Sequence, residues 1–407
     1  MDSNQRFLLK TFRKYYRANT PFLPDRFTRR EFGFMFFDKT FVQRHIGFHS
    51  ADELHRFMES QVPSHSYYST AYYRTPDAPT MEEKGWMGAE LIFDLDADHL
   101  EGADQMSFDD MLAQIKKEMI SLVDNYLFGD MGFSPDDVYI TFSGGRGYHA
   151  HVKMPEVLGL GTHERREIVD FVTSRGVDID WLFRESSRAT GTANVGGKQV
   201  ANIKRFRTIP PADSGGWRLR ARKGLQEVVQ NIDEMDVKEI KKLYPSIAKT
   251  TALPRVKEEL HKPNAIPFIF EKNEMAILSR NTQELLIKIM REDMIPRLSG
   301  EVDEPVTADI KRLIRLPGSI HGKSGLRVTP LSRDELTDFN PMTMAVPKEY
   351  TDDPVTVTMK RDYEFNMKGQ HFKLSGITDV PEYAAVFLVG KKLADVGDGT
   401  KPKDPFF

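Results

Sequence analysis

The sequence predicts an α/β (α+β) fold in which a mixed β-sheet flanked by helices forms the core, and a smaller helical subdomain is added to it. Two observations support this fold class. Between residues 88 and 154 the apolar residues change between a period of two and the helical period, which is typical of strands that alternate with helices. Between residues 225 and 298 they follow the helical period for most of the segment, which predicts a helical unit.

The elements of the first part of the core follow from local patterns. The first twenty residues form a basic amphipathic pattern, which predicts a helix that ends at Pro21 and Pro24. The segment 34–48 is rich in aromatic and β-branched residues, which favours strands. The remaining predicted elements are a helix over 53–60, a strand at Gly88–Asp98, a helix at Ser107–Leu127, and strands at Val138–Phe142 and Tyr148–Met154.

The predicted organisation inserts the helical subdomain into the core. In chain order we predict the first part of the core at 1–224, the helical subdomain at 225–298, the second part of the core at 299–395 and a flexible tail at 396–407. In the second part a helix is expected at Val306–Leu316, capped by Thr307 and ended by Pro317. A last helix is expected near Pro381–Leu393.

Composition excludes several classes of protein. The 407 residues include no cysteine, which excludes disulfides, thiolate zinc sites, iron–sulfur clusters and cysteine nucleophiles in this chain. There is no run of apolar residues long enough to span a bilayer, so we expect no membrane association and a soluble, cytoplasmic protein.

Charge is uneven along the chain, although the formal net charge is only −3. Residues 1–30 contain eight Lys or Arg against two Asp, and residues 198–223 contain another eight against Asp213 alone. Each segment is explained either as a solvated face or as a surface that binds a polyanion. Charge alone does not distinguish these two explanations.

Asp94 and Asp96 form the first candidate site. They are two residues apart on a predicted strand, so they share one face while Leu91, Phe93 and Leu95 share the other. Two neighbouring carboxylates repel each other, and Mg²⁺ or Mn²⁺ would relieve that repulsion. The alternative is a strand end whose acids face water.

A glycine-rich turn is the second candidate site, with the sequence Ser143-Gly144-Gly145-Arg146-Gly147-Tyr148-His149. Glycines allow a backbone to approach an anion closely, and Ser143 and Arg146 add donors that suit phosphate oxygens. His149 lies on the returning strand. The alternative is a hairpin with a surface arginine, because the turn matches neither a Walker loop nor a dinucleotide fingerprint.

The third candidate segment runs from Asp309 to Gly325. Asp309 is expected in the first turn of a helix, where the helix dipole or an ion pair with Arg312 would also explain an acid. His321 and Lys323 follow Pro317 in a turn that could hold a triphosphate. Taken together, three acids, two cationic glycine-rich turns and the two basic segments indicate a two-metal phosphoryl-transfer site.

These motifs resemble those of the archaeal and eukaryotic-type DNA primase small (catalytic) subunit. The resemblance is carried by residues 91–99, 143–149 and 309–325, with further matches at 29–34 and 380–387. It implies a primase-type catalytic core with Asp94, Asp96 and Asp309 as the catalytic acids and metal ligands. It also implies that the phosphates of the incoming nucleotide are held by Ser143, Arg146, His149, His321 and Lys323, with Arg44 as a further nucleotide contact.

The resemblance implies a nucleotidyltransferase that makes short primers on single-stranded DNA and releases pyrophosphate when replication begins. The implied activity is that of a DNA-directed RNA polymerase, with DNA polymerase activity left open. The implied partners are a large subunit that carries an iron–sulfur cluster, the template and primer in a primosome, and nucleoside triphosphates. We expect residues 198–223 to line the template–primer groove.

The chain departs from many relatives at two places. Residues 99–103 have no cysteine where a Cys/His zinc knuckle is found in those relatives, so we expect no structural zinc. Gly145 stands where a bulkier residue is common, so phosphate binding is expected to depend more on Arg146, His321 and Lys323.

Three alternatives compete with this interpretation. A primase-polymerase of end joining or repair belongs to the same superfamily. A haloacid-dehalogenase-type phosphatase would use Asp94 as nucleophile and Asp96 as acid, but Asp98 departs from its motif and the 143–149 turn is left unexplained. A non-catalytic nucleic-acid-binding subunit would explain the basic segments, although it would need none of the acids.

Overall fold

A computed structural model describes residues 1–397 apart from 21, 101, 103 and 104, and it confirms the α/β class. The chain divides into two compact units, of which the first contains Met1–Val169 and the described part of Glu301–Phe407. The second unit is Asp170–Gly300, so it begins well before the boundary at residue 225 that the sequence predicts. The difference arises because a long β-hairpin and a following helix belong to this unit as well. Residues 398–407 of the predicted tail lie outside the described part of the chain.

The helices begin and end as follows: α1 Ser3–Ala18, α2 Ala51–Gln61, α3 Met81–Lys84, α4 Phe108–Ser121, α5 Pro155–Leu158, α6 Thr162–Val172, α7 Ile179–Leu182, α8 Gly216–Glu234, α9 Val237–Leu243, α10 Leu253–Leu260, α11 Ala265–Lys272, α12 Arg280–Ile289, α13 Ile295–Leu298, α14 Glu304–Ala308, α15 Arg333–Asp338, α16 Pro341–Met344 and α17 Glu382–Gly390. Helical turns of other types occur at 27–29, 97–99, 122–130, 245–247 and 290–294.

The strands are β1 Phe32–Met35, β2 Gln43–Ile46, β3 His65–Ser69, β4 Ala71–Tyr73, β5 Trp86–Ala89, β6 Leu91–Asp96, β7 Val138–Phe142, β8 Gly147–Val152, β9 Glu185–Val195, β10 Lys198–Arg207, β11 Leu313–Arg315, β12 Thr329–Leu331, β13 Pro354–Met359, β14 Tyr363–Met367, β15 Gln370–Leu374, β16 Ile377–Pro381 and β17 Ala394–Val396.

Two four-stranded sheets build the centre of the first unit, with strand orders β12-β7-β8-β6 and β11-β3-β1-β2. The mixed sheet expected from the sequence is realised as small sheets, and the pairings between these strands are antiparallel. On β6 the side chains of Leu91, Phe93 and Leu95 are buried, as their alternation predicts. Helix α4 contacts β6 and β8, and its buried residues include Leu112 and Ile115. The opposite face of β6 therefore presents its acids.

The predicted helix at Val306–Leu316 is wrong. Helix α14 ends at Ala308, and the chain then forms β11, in which Leu313 pairs with Ser69 of β3. Thr307 does not cap the helix, because it lies inside α14 and Asp303 is the N-cap residue. The pairing with β3 stabilises a strand where the local apolar spacing favoured a helix.

The second unit contains the β9–β10 hairpin and the helices α7–α13. Most of the hairpin is exposed, and Lys204 lies directly opposite Arg188. Helix α8 packs through buried residues that include Leu225 and Val228. Among the helices of the described residues, none is both long and apolar enough to cross a bilayer.

Candidate active site

A cavity of about 630 Å³ opens beside the polar face of β6 in the first unit. Seven of the nine site residues predicted from the sequence line it: Asp94, Asp96, Ser143, Arg146, His149, His321 and Lys323. Its other lining residues include Tyr67, Asp98, Arg312, Arg315, Lys391 and Lys392. The structure thus brings together segments that are more than two hundred residues apart in the chain.

The acids of β6 lie opposite the strand that follows the glycine-rich turn. Asp94 pairs with His149, and Asp96 pairs with Gly147. The Oδ1 atom of Asp94 is 3.5 Å from Nε2 of His149, and the backbone N–H of Asp98 donates to Oδ1 of Asp96 over 3.1 Å. The Asp94 side chain is 20% exposed and that of Asp96 is 38% exposed, so Asp94 is the more enclosed of the two.

Burial, followed by the nearby negative charges of Asp96 and Asp303, raises the pKa of Asp94 to about 7. Arg312 and Arg315 act in the opposite direction without cancelling the effect. The enclosure of Asp94 beside a second acid therefore disfavours its charged form. Carboxylate oxygens suit a hard divalent cation, which would stabilise both charged groups, so Asp94 and Asp96 fit Mg²⁺ or Mn²⁺.

Asp303 lies near this pair, and its charge acts on Asp94. The backbone N–H of Asp303 donates to the carbonyl oxygen of Asp94 over 3.0 Å. Asp309 follows α14, is exposed and accepts a hydrogen bond from the Lys311 N–H at 2.8 Å. Neither Asp303 nor Asp309 is among the cavity-lining residues. In the described part of the chain, no three acidic or histidine side chains are close enough together to hold one metal ion. Sequence reasoning passed over Asp303, although an acid just before Glu304 and Pro305 marks a helix start.

The side chain of Ser143 stabilises the turn between β7 and β8. The Ser143 Oγ atom accepts hydrogen bonds from the N–H groups of Gly145 and Gly147, at 3.2 and 3.3 Å. Gly144 has a φ of +75°, which favours glycine, and a Cβ at Gly147 would overlap the carbonyl oxygen of Leu95. The glycines therefore allow the turn to lie directly against β6.

Arg146 projects from this turn toward the acids. Its guanidinium forms an ion pair with Asp98, and its Nε lies 3.9 Å from Oδ1 of Asp96. The Arg146 side chain is 36% exposed, so it remains accessible from the cavity. An arginine in this position offers a planar set of donors to a phosphate group.

The second glycine-rich turn packs against the first. A Cβ at Gly144 would lie 2.7 Å from Cβ of His321, so the two turns approach as closely as glycine permits. The N–H of Gly322 donates to Nδ1 of His65 over 3.2 Å, and the rings of His65 and His321 are 4.8 Å apart. Lys323 is exposed in the cavity wall. The close packing fixes the positions of both turns.

The buried histidines of the site are neutral near pH 7. Burial, followed by nearby cations, lowers the pKa of His65 to about 2 and holds the pKa of His321 well below its usual value. Burial also holds the pKa of His149 well below its usual value, with His151 and Arg315 acting in the same direction. A neutral imidazole donates through one nitrogen only, so these rings add hydrogen-bonding capacity without adding charge.

Sequence reasoning missed Arg312, Arg315 and Lys391. Arg315 lies 4.6 Å from the centre of the Tyr67 ring and donates to Nδ1 of His65 over 2.5 Å, while burial lowers its pKa. It was missed because residues 306–316 were interpreted as one helix, whereas β11 turns Arg315 toward the cavity. With Arg146 and Lys323, these residues form a cationic wall opposite the acids.

Arg44 lies elsewhere in the first unit. It is on β2, and its guanidinium donates twice to the buried carboxylate of Glu31, over 3.1 Å each. Lys84 lies 3.4 Å from the same carboxylate. Arg44 is not among the residues that line the cavity, so the structure explains it first as the partner of a buried acid.

An acid pair that faces a cluster of cations across a cavity is an arrangement typical of enzymes that transfer phosphoryl groups. Residues 93–333 match the model of the DNA primase small subunit family. The DNA primase small subunit PriS of Methanocella arvoryzae is 41% identical over 404 residues, which cover 97% of this chain and 99% of that protein. The corresponding protein of Methanococcoides burtonii is 41% identical over 98% of this chain and 100% of its own length.

A more divergent relative, PriS of Picrophilus torridus, is 36% identical over 95% of this chain and 97% of its own length. The chain therefore belongs to the DNA primase small subunit family, and the resemblance drawn from the sequence motifs is confirmed.

Proposed function

We propose that this chain is the catalytic small subunit of a DNA primase, which joins nucleotides into short primers on single-stranded DNA by nucleotidyl transfer. The observation that carries the proposal is the shared cavity: Asp94 and Asp96 face Arg146, Arg315 and Lys323 within about 630 Å³. Family membership supports the same activity. A cationic wall suits a triphosphate, and an acid pair suits the divalent cations that accompany it.

Asp94 and Asp96 would hold the divalent cations, Mg²⁺ or Mn²⁺. Asp303 is the best-placed third acid, because it contacts β6 and its charge raises the pKa of Asp94. The prediction that Asp309 has this role stays a prediction, and it competes with Asp303. The cations, when bound, would activate the attacking 3′-hydroxyl and neutralise charge on the pyrophosphate leaving group.

The side chains of the two turns would hold the triphosphate. Both Ser143 lone pairs accept N–H groups of the turn, so its hydroxyl proton is left to donate to a phosphate oxygen. Arg146 would exchange Asp98 for a phosphate, and Lys323 and His321 would bind from the second turn. Because the two turns are fixed by close packing, Ser143 and His321 would stabilise charge on the departing pyrophosphate at little reorganisation cost.

The proposed partners are a primase large subunit, template and primer DNA, and nucleoside triphosphates. The name "small subunit" carried by the relatives supports a larger partner. This chain has no cysteine, so the iron–sulfur cluster implied by the family resemblance would belong to that partner. The proposed biological role is the start of DNA replication. The expectation of no structural zinc also stands as a prediction, and it concerns a region in which residues 101 and 103 lie outside the described chain.

The basic residues of segment 198–223 differ in how exposed their side chains are. Arg222 is buried and donates to the carbonyls of Pro210 and Phe270, so it supports the fold. Lys198, Lys204 and Arg205 are exposed on β10. We propose that these exposed residues of the β9–β10 hairpin contribute to the contact with template and primer.

The test is primer synthesis on single-stranded DNA with labelled nucleotides and Mg²⁺ or Mn²⁺, with and without the large subunit. Asp96→Asn is the test variant, and Asp136→Asn, which changes an exposed acid outside the cavity, is the matched control. We expect template-dependent products from the wild type and the control, and a loss on the order of 100-fold in the test variant. Template-dependent synthesis by Asp96→Asn at the wild-type rate would refute the assignment of the site.

A further inference from the structure

Lys391 is the first residue after α17, and it lies beside the second glycine-rich turn. The helix ends at Gly390, and the N–H of Lys391 donates to the Phe387 carbonyl over 2.9 Å. A Cβ at Gly390 would lie 3.2 Å from the carbonyl of Lys323, so the helix end lies directly against the second glycine-rich turn. Lys391 is therefore a neighbour of that turn in space, although it is far from it in sequence, and its side chain lines the cavity.

The ammonium group of Lys391 is held by aromatic rings. It lies 4.1 Å from the centre of the Phe108 ring and 5.9 Å from that of Phe387. Within the part of the chain that the structure describes, no hydrogen bond or ion pair reaches this ammonium. The rings fix the position of the charge but leave its hydrogen-bond donors free.

The surroundings of Lys391 disfavour the positive charge of its own ammonium group. Burial, followed by the positive charge of Arg146, lowers the pKa of Lys391 to about 8, and Lys323 acts in the same direction. Asp96 and Asp98 oppose this effect without cancelling it. Three cations gathered in one cavity repel one another, and a polyanion in the cavity would relieve the repulsion.

We propose that Lys391 is a further phosphate-binding residue, which contacts the triphosphate of the incoming nucleotide together with Arg146 and Lys323. This inference rests on the proposed function and deepens it. Its basis is the position of a free ammonium in the cavity wall, beside the turn that carries Lys323. Helix α17 thereby contributes to the nucleotide site.

A purely structural role makes a different prediction. A cation at the C-terminal end of a helix is favoured by the helix dipole, and contact with Phe108 adds a cation–π interaction. Either effect would stabilise the fold without changing nucleotide binding. Binding measured as a function of phosphate number separates the two explanations.

The experiment compares Lys391→Met and Lys391→Arg with Lys368→Met. Lys368 is a matched control, because it is exposed, lies 4.4 Å from the centre of the Tyr383 ring and is not among the cavity-lining residues. Guanosine tri-, di- and monophosphate are titrated with Mg²⁺ by calorimetry in the absence of a template. We expect Lys391→Met to weaken triphosphate binding about tenfold or more and monophosphate binding less than about twofold. Lys391→Arg is expected to retain most of the affinity, and Lys368→Met all of it.

Other outcomes are decisive as well. Equal affinity of Lys391→Met and wild type for the triphosphate would overturn the inference, and so would an equal loss for all three nucleotides. If primer–template affinity falls instead while triphosphate affinity stays constant, Lys391 contacts nucleic-acid phosphates and the inference is wrong. No triphosphate binding by the wild type would instead refute the proposed function.

A measurement on the wild type covers the case in which Lys391→Met does not fold. Lysine acetylation is mapped by mass spectrometry with and without the guanosine triphosphate. We expect the triphosphate to protect Lys391 and to leave Lys368 equally reactive. Equal modification of Lys391 in both samples would overturn the inference.

Discussion

The backbone N–H of Asp303 donates a hydrogen bond of 3.0 Å to the carbonyl oxygen of Asp94. This bond joins the start of α14 to β6, and it places a third acid beside the pair at Asp94 and Asp96. Asp309 lies beyond the other end of the same short helix and is exposed.

The first prediction compares these two acids. Asp303→Asn is expected to reduce primer synthesis on the order of 100-fold, because it removes one of the negative charges that would bind divalent cations. Asp309→Asn is expected to change the rate less than about threefold, because the Asp309 side chain is exposed and accepts a hydrogen bond from the nearby Lys311 N–H. Steady-state synthesis with a supplied primer measures both. The opposite ranking would restore Asp309 as the third acid.

The second prediction concerns stability without metal. The raised pKa of Asp94 means that the folded protein favours the protonated acid. That stabilisation is complete below the unfolded pKa near 4 and is lost as pH rises through about 7. In EDTA at pH 8, Asp94→Asn should therefore be more stable than the wild type, by up to about 4 kcal/mol.

Urea denaturation at pH 4, 6 and 8 measures this difference, which should be largest at pH 8. Mg²⁺ at pH 8 should raise the stability of the wild type more than that of Asp94→Asn, because the cation replaces the proton at the acid pair. A difference that is independent of pH would show that Asp94 titrates normally.

The third prediction concerns acid sensitivity. The pKa of His65 is lowered to about 2 and that of His321 lies well below its usual value, so both are neutral in the fold. Stability from a depressed histidine is complete above the unfolded pKa near 6.5 and is lost as pH falls toward the folded value. At pH 5, each of these two histidines should lower the free energy of unfolding by up to about 2 kcal/mol relative to neutral pH.

Thermal unfolding between pH 7.5 and 5 tests this. His321→Gln should flatten the decline, whereas His163→Gln, which changes an exposed histidine, should leave it unchanged. A decline that is equally steep in both variants would mean that other groups cause the acid sensitivity.

The fourth prediction concerns the close approach of Gly147 to β6. Gly147→Ala would bring a Cβ against the backbone of Leu95, which must shift together with the neighbouring Asp96. We expect a loss of about 2 kcal/mol or more in stability and a strong loss of activity. Gly159→Ala is the control, because nothing lies within 4 Å of its Cβ position and its φ is −85°. If both variants have the same stability and activity, the close approach of the turn to β6 is not required for either property.

The fifth prediction concerns the β9–β10 hairpin. Lys204 and Arg188 are directly opposite each other, an unfavourable pairing of like charges that a bound polyanion would relieve. Lys204→Ala with Arg205→Ala should weaken DNA binding and reduce its salt slope by about 1.5. The control removes Lys242 and Lys249, which are exposed in the same unit. An unchanged slope in the hairpin variant would exclude it as the DNA contact.

The parts of the site that depend on local pattern could be predicted from the sequence. Alternation places Asp94 and Asp96 on one face of a strand, and the glycine spacing predicts the turn that carries Arg146. Asp303 and Arg315 could not be found in this way. The position of Asp303 depends on its hydrogen bond to the Asp94 carbonyl on β6. The position of Arg315 depends on the pairing of β11 with β3, which are more than two hundred residues apart, whereas the local spacing of residues 306–316 favours a helix.

Long-range packing also explains the other differences. Arg44 matched a short motif, but the buried Glu31 determines where its guanidinium lies. The second unit includes the β9–β10 hairpin, because β10 packs against α12, later in the same unit. Neither the ion pair of Arg44 with Glu31 nor the packing of the hairpin produces a periodic pattern of apolar residues that the sequence would reveal.

The contact between Gly390 and Lys323 has a consequence for how the protein is made. Asp94 emerges from the ribosome early, whereas α17 is translated almost three hundred residues later. A nascent chain that has exposed both glycine-rich turns still lacks the helix end that lies against the second one. The residues that line the cavity are therefore all present only after α17 and Lys391 have been translated.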